Sequence, residues 1–186
     1  WIAKREWKAL EKLRDLPGVP KPYGMMDRDA IVMEFMPSRG ELRSHKQTNA
    51  DTYPSLAFFT ALGETVRRMH ETGVAHGDIR RTNLLLGPDG QPCLIDFASA
   101  VFANARPGII HQRLFNLMAR VDVVTVLKLQ DYYHPGSLTQ DQETTLNHRP
   151  RVLRWAQFLR QSVYKPLIQQ KRWRQRFKNI KAKFYT

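Results

Sequence analysis

The sequence has little of what marks a secreted or membrane-spanning protein. Its 186 residues contain one cysteine, Cys93, which cannot form an internal disulfide and is expected to be a small buried hydrophobe. No apolar run approaches the roughly 18 residues that a membrane span requires, and no segment resembles a signal peptide. These absences favour a protein of the reducing cytoplasm, either soluble or peripheral to the inner membrane leaflet.

Acidic residues are missing from the carboxy-terminal end. The last of the 17 acids is Glu143, while 12 of the 30 Lys and Arg residues follow it, so the last 43 residues carry a net +12. The preceding 143 residues carry 18 basic and 17 acidic side chains, a net +1. Because large apolar residues recur among these cations at steps of three and four, residues 144–186 are predicted to be a basic amphipathic helical tail.

Such a tail fits three kinds of anionic partner, namely a membrane surface, an acidic glycolipid and nucleic acid. Nucleic acid is the less favoured of these, since no separate base-reading module is visible. A further alternative is that the apolar face packs on the rest of the protein and the charges are simply solvated.

One short segment concentrates the polar residues that phosphate transfer uses. It reads His76-Gly77-Asp78-Ile79-Arg80-Arg81-Thr82-Asn83, and Asp96-Phe97-Ala98 begins thirteen residues after Asn83. Transfer of the γ-phosphoryl group of ATP needs a carboxylate that orients and deprotonates the attacking hydroxyl, and oxygen ligands for Mg²⁺. Asp78 fits the first role, and the side-chain oxygens of Asn83 and Asp96 fit the second. Order and spacing together predict an ATP- and Mg²⁺-dependent phosphotransferase.

The residues between the two clusters predict a hairpin that closes this site. Residues 84–87 and 91–95 are mostly apolar, and they flank a Pro-Asp-Gly sequence that is typical of a tight turn. Two ligands thirteen residues apart can share one ion only if the connection folds back on itself. We therefore expect Asp96 to lie beside Asn83.

Helical periodicity and turn residues outline the other elements. They predict helices over residues 1–13, 53–72 and 114–133, strands over 23–26 and 30–36, and a polar loop over 37–49. Asp122, within the third helix, is a candidate buried acid that accepts backbone N–H groups of the catalytic segment. The alternative for Asp122 is an ordinary surface carboxylate.

The run HGDIRRTNLLLGPDGQPCLIDFASA resembles the catalytic loop and metal-binding segment of the protein-kinase-like superfamily. The form H-G-D is similar to the atypical bacterial branches, above all to lipopolysaccharide core-sugar kinases and RIO-like kinases. The similarity spans most of residues 1–135. It implies an α+β, protein-kinase-like two-lobe fold with a truncated small lobe and a mainly helical large lobe. Residues 1–36 would be the remnant of the small lobe, 37–143 the large lobe and 144–186 the tail.

The resemblance also implies roles for individual residues at the phosphate-transfer centre. Asp78 would be the catalytic base, and Asn83 and Asp96 would bind Mg²⁺. Arg80 stands where many kinases place a Lys that touches the transferring phosphate, and its fork-shaped guanidinium can serve there.

The nucleotide site follows from the same resemblance. Leu85 would form the floor under adenine, and Met33 to Met36 resemble the hinge between the lobes. Met33 would be the gatekeeper, and the backbone of Glu34 and Met36 would bond the adenine edge. Ordinary core filling is the alternative for the two methionines. Glu6 would be the helix acid that pairs with the ATP-binding Lys, and a solvated surface charge is its alternative.

The sequence departs from the kinase pattern in two places. Ala98 replaces the usual Gly after the metal-binding Asp, and no A-P-E sequence follows, which argues against a regulated activation segment. The 186 residues also contain neither the Gly-rich loop nor the strand Lys that bind ATP phosphates. Either the chain is an amino-terminally incomplete version of a longer kinase or it is a degenerate relative, so activity of these residues alone is in doubt.

Three function classes are compatible with these patterns. The first is a phosphotransferase acting on a hydroxyl of a lipopolysaccharide core sugar or another lipid-linked saccharide. The second is a RIO-like protein serine/threonine kinase. The third is a catalytically inactive kinase-like module that binds a partner or a membrane through its basic tail.

Overall fold

The computed structural model describes residues 2–44, 53–103 and 109–147, which form helices and short antiparallel strands. The helices are α1 (Ile2–Lys12), α2 (Leu56–Glu71), α3 (Ile109–Tyr133) and α4 (Gln140–Asn147). The strands are β1 (Pro22–Met25), β2 (Ile31–Met33), β3 (Val74–Ala75), β4 (Leu84–Leu86), β5 (Pro92–Leu94) and β6 (Val101–Phe102). The predicted α+β class is confirmed.

The core is built on one face of α2. Ser55 caps the helix, since its hydroxyl accepts a hydrogen bond from the Phe58 N–H at 3.2 Å. The buried side chains of α2 recur at steps of one, three and four, as an amphipathic helix requires: Phe58, Phe59, Leu62, Val66 and Met69. α2 packs against α3. The chain that leaves the carboxy-terminal end of α2 leads into β3 and then into the catalytic segment.

Two strand pairs frame the catalytic segment. β3 pairs with β6, with Val74 opposite Phe102, and β4 pairs with β5, with Leu85 opposite Cys93. The first pair holds the entry to the segment and the second holds its exit. The predicted hairpin is therefore present as β4 and β5.

The polar stretch predicted as a loop bonds to β4 along part of its length. The Arg39 N–H donates to the Leu86 carbonyl at 2.7 Å, and the Leu42 N–H donates to the Leu84 carbonyl at 3.1 Å. Leu42 is the buried anchor of this stretch, at 3% exposure. The predicted loop contains no helix or strand in its described part, residues 37–44, and backbone hydrogen bonds together with one buried leucine hold residues 39–42 against β4.

Several boundaries differ from the sequence predictions. α3 begins at Ile109, five residues before the expected start, and β2 covers three residues rather than seven. Pairing nevertheless continues one residue past β2, since the Glu34 N–H donates to the Lys21 carbonyl at 2.8 Å. Within the described residues, no helix is both long and apolar enough to cross a membrane. Most of the predicted basic tail, residues 148–186, lies outside the described residues, and the domain boundaries stay predictions.

Candidate active site

The catalytic segment begins with a left-handed turn that only glycine fits well. Gly77 has φ +70°, and a Cβ placed there would lie 3.0 Å from the Ser99 carbonyl oxygen. Both the positive φ and the close approach exclude larger residues without strain. Glycine is thus required between His76 and Asp78 because the catalytic segment packs closely against the turn that follows Asp96.

His76 is completely buried and acts as a structural link. Its Nδ1 accepts the Asp78 N–H at 3.1 Å, so Nε2 carries the proton and donates to the Ile95 carbonyl at 3.1 Å. The ring also lies against Phe97, with centroids 4.7 Å apart. Burial lowers the pKa of His76, although nearby carboxylates, Asp122 first, oppose that shift. The neutral imidazole therefore ties the Asp78 backbone to the strand that leads to Asp96.

Asp122 anchors the same segment from α3. Its carboxylate is fully buried, and it accepts the backbone N–H of His76 at 2.7 Å and of Gly77 at 2.9 Å. The Nε2 atom of His70 lies 3.2 Å from the same carboxylate. A buried carboxylate is tolerated when donors surround it in this way. The buried role predicted for Asp122 matches this geometry, and the surface alternative does not.

Asp78 and Asn83 are buried next to each other, at 7% and 3% exposure. The Asn83 Nδ2 donates to the Asp78 backbone carbonyl at 2.9 Å. Because that carbonyl can only accept, the Asn83 amide oxygen must point the other way. There it accepts from Arg80 Nε at 3.3 Å, on the side where Asp96 lies.

The Arg80 guanidinium marks the point where the predicted oxygens meet. Its Nε lies 3.6 Å from Asp78 Oδ2, and a terminal nitrogen lies 3.9 Å from Asp96 Oδ2. Together with the Asn83 contact, one guanidinium thus reaches all three side chains. The structure brings Asp78, Asn83 and Asp96 together around a single positive group, as the folded-back hairpin requires.

Asp96 sits in a strained backbone conformation. With φ 66° and ψ 71°, it is the one non-glycine residue with positive φ among the described residues. Such strain costs about 1–3 kcal/mol and persists where the surroundings impose it. Here the hydrogen bond from the Ile95 N–H to the Asn83 carbonyl, 3.0 Å long, fixes the preceding residue. The result turns the Asp96 carboxylate, 45% exposed, toward Arg80.

The donor set fits a magnesium ion that arrives with a nucleotide. Within the described ranges, no group of three or more His, Cys, Asp or Glu side chains could hold a metal ion. Mg²⁺ bound to nucleotides usually takes only one or two carboxylates, and phosphates and water supply the rest. The Asp96 carboxylate and the Asn83 amide oxygen, which both lie near the Arg80 guanidinium, meet that description.

Leu85 and Glu34 are the predicted adenine-side residues that the structure places most directly. Leu85 is half-buried and faces Cys93 across the β4–β5 pair. Burial, followed by the charge of Glu34, raises the pKa of Cys93 to about 12, so this thiol is unreactive at neutral pH. Since the Glu34 N–H already bonds to Lys21, only the Glu34 carbonyl could contact adenine.

For the other residues predicted to bind the nucleotide, the structure gives the element and the burial but no contact with the site. Met33 and Met36 are half-buried at the end of the β1–β2 hairpin. Glu6 is half-buried on α1, and α1 packs against the turn Phe97–Ser99 that follows Asp96. Glu6 thus belongs to the helix beside the metal-binding segment, while its pairing with a Lys stays a prediction.

Sequence reasoning missed two features of the site. It assigned Arg80 to the transferring phosphate and did not foresee that the same side chain reaches both aspartates. It also missed Arg81, whose guanidinium lies over the Tyr132 ring at 5.4 Å. The Arg-Arg pair inside the catalytic segment was the available signal, because adjacent side chains point in different directions and so find different partners.

The helices, small sheets and catalytic segment define a protein-kinase-like α+β protein. A family model described as RIO domain matches residues 1–126, about two thirds of the chain. The chain therefore belongs to the RIO domain family.

Individual relatives agree with this class. CBL-interacting serine/threonine-protein kinase 7 of Arabidopsis thaliana is 34% identical over 113 residues, which cover 58% of this chain and 26% of the relative. Aurora kinase B of Xenopus tropicalis is 34% identical over 105 residues, covering 54% and 29%. A probable bifunctional tRNA threonylcarbamoyladenosine biosynthesis protein of Methanoculleus marisnigri is 40% identical over 84 residues, covering 45% and 14%. The chain spans less than a third of the length of each of these relatives.

Proposed function

We propose that the full-length protein is a RIO-like serine/threonine protein kinase that uses ATP and Mg²⁺. The observation that carries this proposal is the convergence of Asp78, Asn83 and Asp96 on the Arg80 guanidinium. A site built for phosphoryl transfer needs a base and metal ligands within a few ångströms of each other.

Each of these side chains has a distinct part in the proposed reaction. Asp78 orients the acceptor hydroxyl and takes its proton, and its buried position next to Asn83 keeps bulk water away from that proton. Asn83 and Asp96 would hold Mg²⁺, which supplies charge neutralisation on the nucleotide phosphates. Arg80 donates to phosphate oxygens, and its contacts with Asp78, Asn83 and Asp96 support this role because they put the guanidinium between the base and the metal ligands.

The nucleotide base is assigned to the hinge and Leu85. In this proposal Leu85 contacts one face of adenine, while the Glu34 carbonyl and the Met36 backbone bond its edge. Met33 borders the pocket as gatekeeper, and Glu6 pairs with the Lys that binds the ATP phosphates.

A protein acceptor is preferred over a saccharide because of the relatives. Two of the three described above carry the names of protein kinases, and none is named as a sugar kinase. The saccharide acceptor that the sequence first favoured therefore has less support than the RIO-like alternative. The anionic partner of the basic tail stays a sequence-based prediction.

Phosphate transfer from γ-labelled ATP tests the proposal. The full-length protein is incubated with Mg²⁺·ATP and three acceptors, namely itself, a degenerate Ser/Thr peptide library and a delipidated lipopolysaccharide core saccharide. We expect label in protein or peptide, and loss of about 10²–10⁴-fold in rate for Asp78→Asn. Asp15→Asn, which neutralises an exposed carboxylate beyond α1, is the matched control and should retain the rate.

Two results would contradict the proposal. Label that enters only the saccharide would return the acceptor to the first function class. A full-length protein that labels nothing and gains no thermal stability from Mg²⁺·ATP would be the inactive binding module.

A further inference from the structure

The Arg80 guanidinium contacts both side chains to which Mg²⁺ binding is assigned. Its Nε donates to the Asn83 amide oxygen at 3.3 Å, and a terminal nitrogen lies 3.9 Å from Asp96 Oδ2. A divalent cation held by the same two oxygens would lie about 2 Å from each of them. The guanidinium and such a cation are both positive, so they repel each other at this separation. Arg80 is therefore a competitor of the metal as well as a donor to phosphate.

The contacts of the Asn83 side chain make this competition direct. Its Nδ2 donates to the Asp78 carbonyl at 2.9 Å, which fixes the plane of the amide. Its oxygen accepts from Arg80 Nε at 3.3 Å and from the Thr82 hydroxyl at 3.4 Å. An amide oxygen has two lone pairs, and these two donors use both of them. A cation can bind this oxygen only after one of the donors leaves.

Arg80 is the donor whose departure favours a cation most. Of the two donors only Arg80 is charged, so only its departure also removes the repulsion. Its side chain is 42% exposed and that of Asp96 is 45% exposed, and their separation of 3.9 Å is too long for a hydrogen bond. Water and salt screen exposed ion pairs, which makes them weak. The guanidinium can therefore leave these oxygens readily.

A nucleotide offers the guanidinium a stronger anionic partner. A guanidinium pairs with a phosphate group through two parallel N–H donors, and it does so more strongly than a neutral donor could. The phosphates of ATP also carry more negative charge than the single Asp96 carboxylate. When Arg80 donates to phosphate, Asn83 and Asp96 become available to the metal.

We propose that Arg80 competes with the divalent cation for Asn83 and Asp96, and that nucleotide phosphates relieve this competition by taking up the guanidinium. This inference rests on the proposed kinase function and adds a regulation of the same site. Without a nucleotide, the two side chains hold a divalent cation weakly. Metal and nucleotide therefore bind cooperatively, and each raises the affinity for the other by the same factor.

Manganese binding without nucleotide tests the competition on the full-length protein. Mn²⁺ accepts the same oxygen ligands as Mg²⁺, and its paramagnetic resonance signal measures the unbound ion. We expect Arg80→Ala and Arg80→Gln each to bind Mn²⁺ about tenfold more tightly than the unaltered protein, because a like charge leaves the site. Arg81→Ala removes an equal charge from a guanidinium that lies over the Tyr132 ring, and its Mn²⁺ affinity should stay within about twofold.

Affinity for the Mg²⁺ complex of a non-hydrolysable ATP analogue should change in the opposite direction. Arg80→Ala loses a donor to the phosphates, so we expect calorimetry to show about tenfold weaker binding of this complex. A merely structural role of Arg80 would lower both affinities together. The double variant Arg80→Ala/Asp96→Asn should lose the gain in Mn²⁺ affinity, because the carboxylate for which Arg80 competes is then neutral.

Four results would overturn the inference. Mn²⁺ affinity in Arg80→Ala could equal that of the unaltered protein or that of Arg81→Ala, or the gain could persist in the double variant. Unchanged affinity of Arg80→Ala for the nucleotide complex would overturn the transfer of the guanidinium to phosphate. None of these measurements needs phosphate transfer. Label in a protein acceptor without a gain in Mn²⁺ affinity would refute the competition alone, whereas a gain in a protein that labels no acceptor would support the competition and contradict the kinase.

Discussion

The catalytic segment and the β1–β2 hairpin are built in opposite ways. In the segment, His76, Asp78 and Asn83 are all buried, and their polar groups bond to one another, to Ile95 or to α3. In the hairpin region, by contrast, large apolar side chains are exposed: Tyr23 at 65%, Met26 at 77%, Val32 at 44% and Phe35 at 86%.

This difference means that buried polar contacts fix the catalytic segment, whereas the β1–β2 hairpin region has fewer buried side chains to hold it. The segment is held by the Asp122 carboxylate of α3 and by the β4–β5 pair. The residues that would contact adenine lie at the less buried end of the fold. Substitutions should therefore have large effects in the first region and small effects in the second.

Two phenylalanines, one in each region, show this difference in burial most clearly. Phe97 is fully buried against His76, whereas Phe35 is 86% exposed. We expect Phe97→Ala to lower the free energy of unfolding by about 3–5 kcal/mol and Phe35→Ala to change it by less than about 0.5 kcal/mol. Urea unfolding measures both, and equal losses would contradict the comparison.

Removal of the Asp122 carboxylate should be the next largest effect. Asp122→Ala leaves the N–H groups of His76 and Gly77 buried without an acceptor, which we expect to cost about 3 kcal/mol of unfolding free energy. Asp131→Ala, on the same helix but only half-buried, is the control and should cost far less. Equal behaviour of the two variants in urea would mean that Asp122 does not anchor the segment.

Two glycines with similar backbone angles isolate the packing at the segment. Gly77 has φ +70°, and an added methyl group there would meet the Ser99 carbonyl, whereas at Gly90, with φ +80°, the same group would have nothing within 4 Å. We expect Gly90→Ala to cost about 1 kcal/mol from backbone strain and Gly77→Ala to cost about 2 kcal/mol. Thermal unfolding of both variants provides the measurement, and a larger loss for Gly90→Ala would contradict the packing argument.

The buried histidine makes the segment sensitive to acid. Because burial lowers the pKa of His76, the unfolded chain takes up a proton below about pH 6.5 while the folded chain does not. Stability should therefore fall with decreasing pH, by up to about 1.4 kcal/mol per pH unit from this group. The slope between pH 7 and pH 5 should be shallower in His76→Gln, and an unchanged slope would argue against a buried neutral imidazole.

The proximity of Asp78, Asn83 and Asp96 could be predicted from the sequence better than the structure around them. The residue types of Asp78, Asn83 and Asp96, and their order in the chain, already indicate phosphate-transfer chemistry. The strand, Pro-Asp-Gly turn and strand between Asn83 and Asp96 indicate a hairpin, which brings these two residues together. The buried face of α2 could likewise be predicted, because its apolar residues recur at helical spacing. These features depend on local sequence alone.

Long-range pairing could not be read in this way. Residues 39–42 join β4 through backbone hydrogen bonds, which every residue type can form, so their polar side chains gave no signal. The two-residue strands β3 and β6 are too short for any periodicity. The contacts of Arg80 with both Asp78 and Asp96 likewise depend on how the β4–β5 hairpin closes, which the amino-acid sequence did not reveal.

Calorimetric titration of the full-length protein with Mg²⁺·ATP tests most directly whether residues 83 and 96 hold the metal ion of a bound nucleotide beside the base Asp78. We predict that Asp96→Asn weakens binding by about tenfold or more and reduces its dependence on Mg²⁺. Asp78→Asn, beside the same guanidinium, should bind Mg²⁺·ATP within about twofold of the unaltered protein, because the base acts on the acceptor and not on the nucleotide. Unchanged Mg²⁺·ATP affinity in Asp96→Asn would contradict the account.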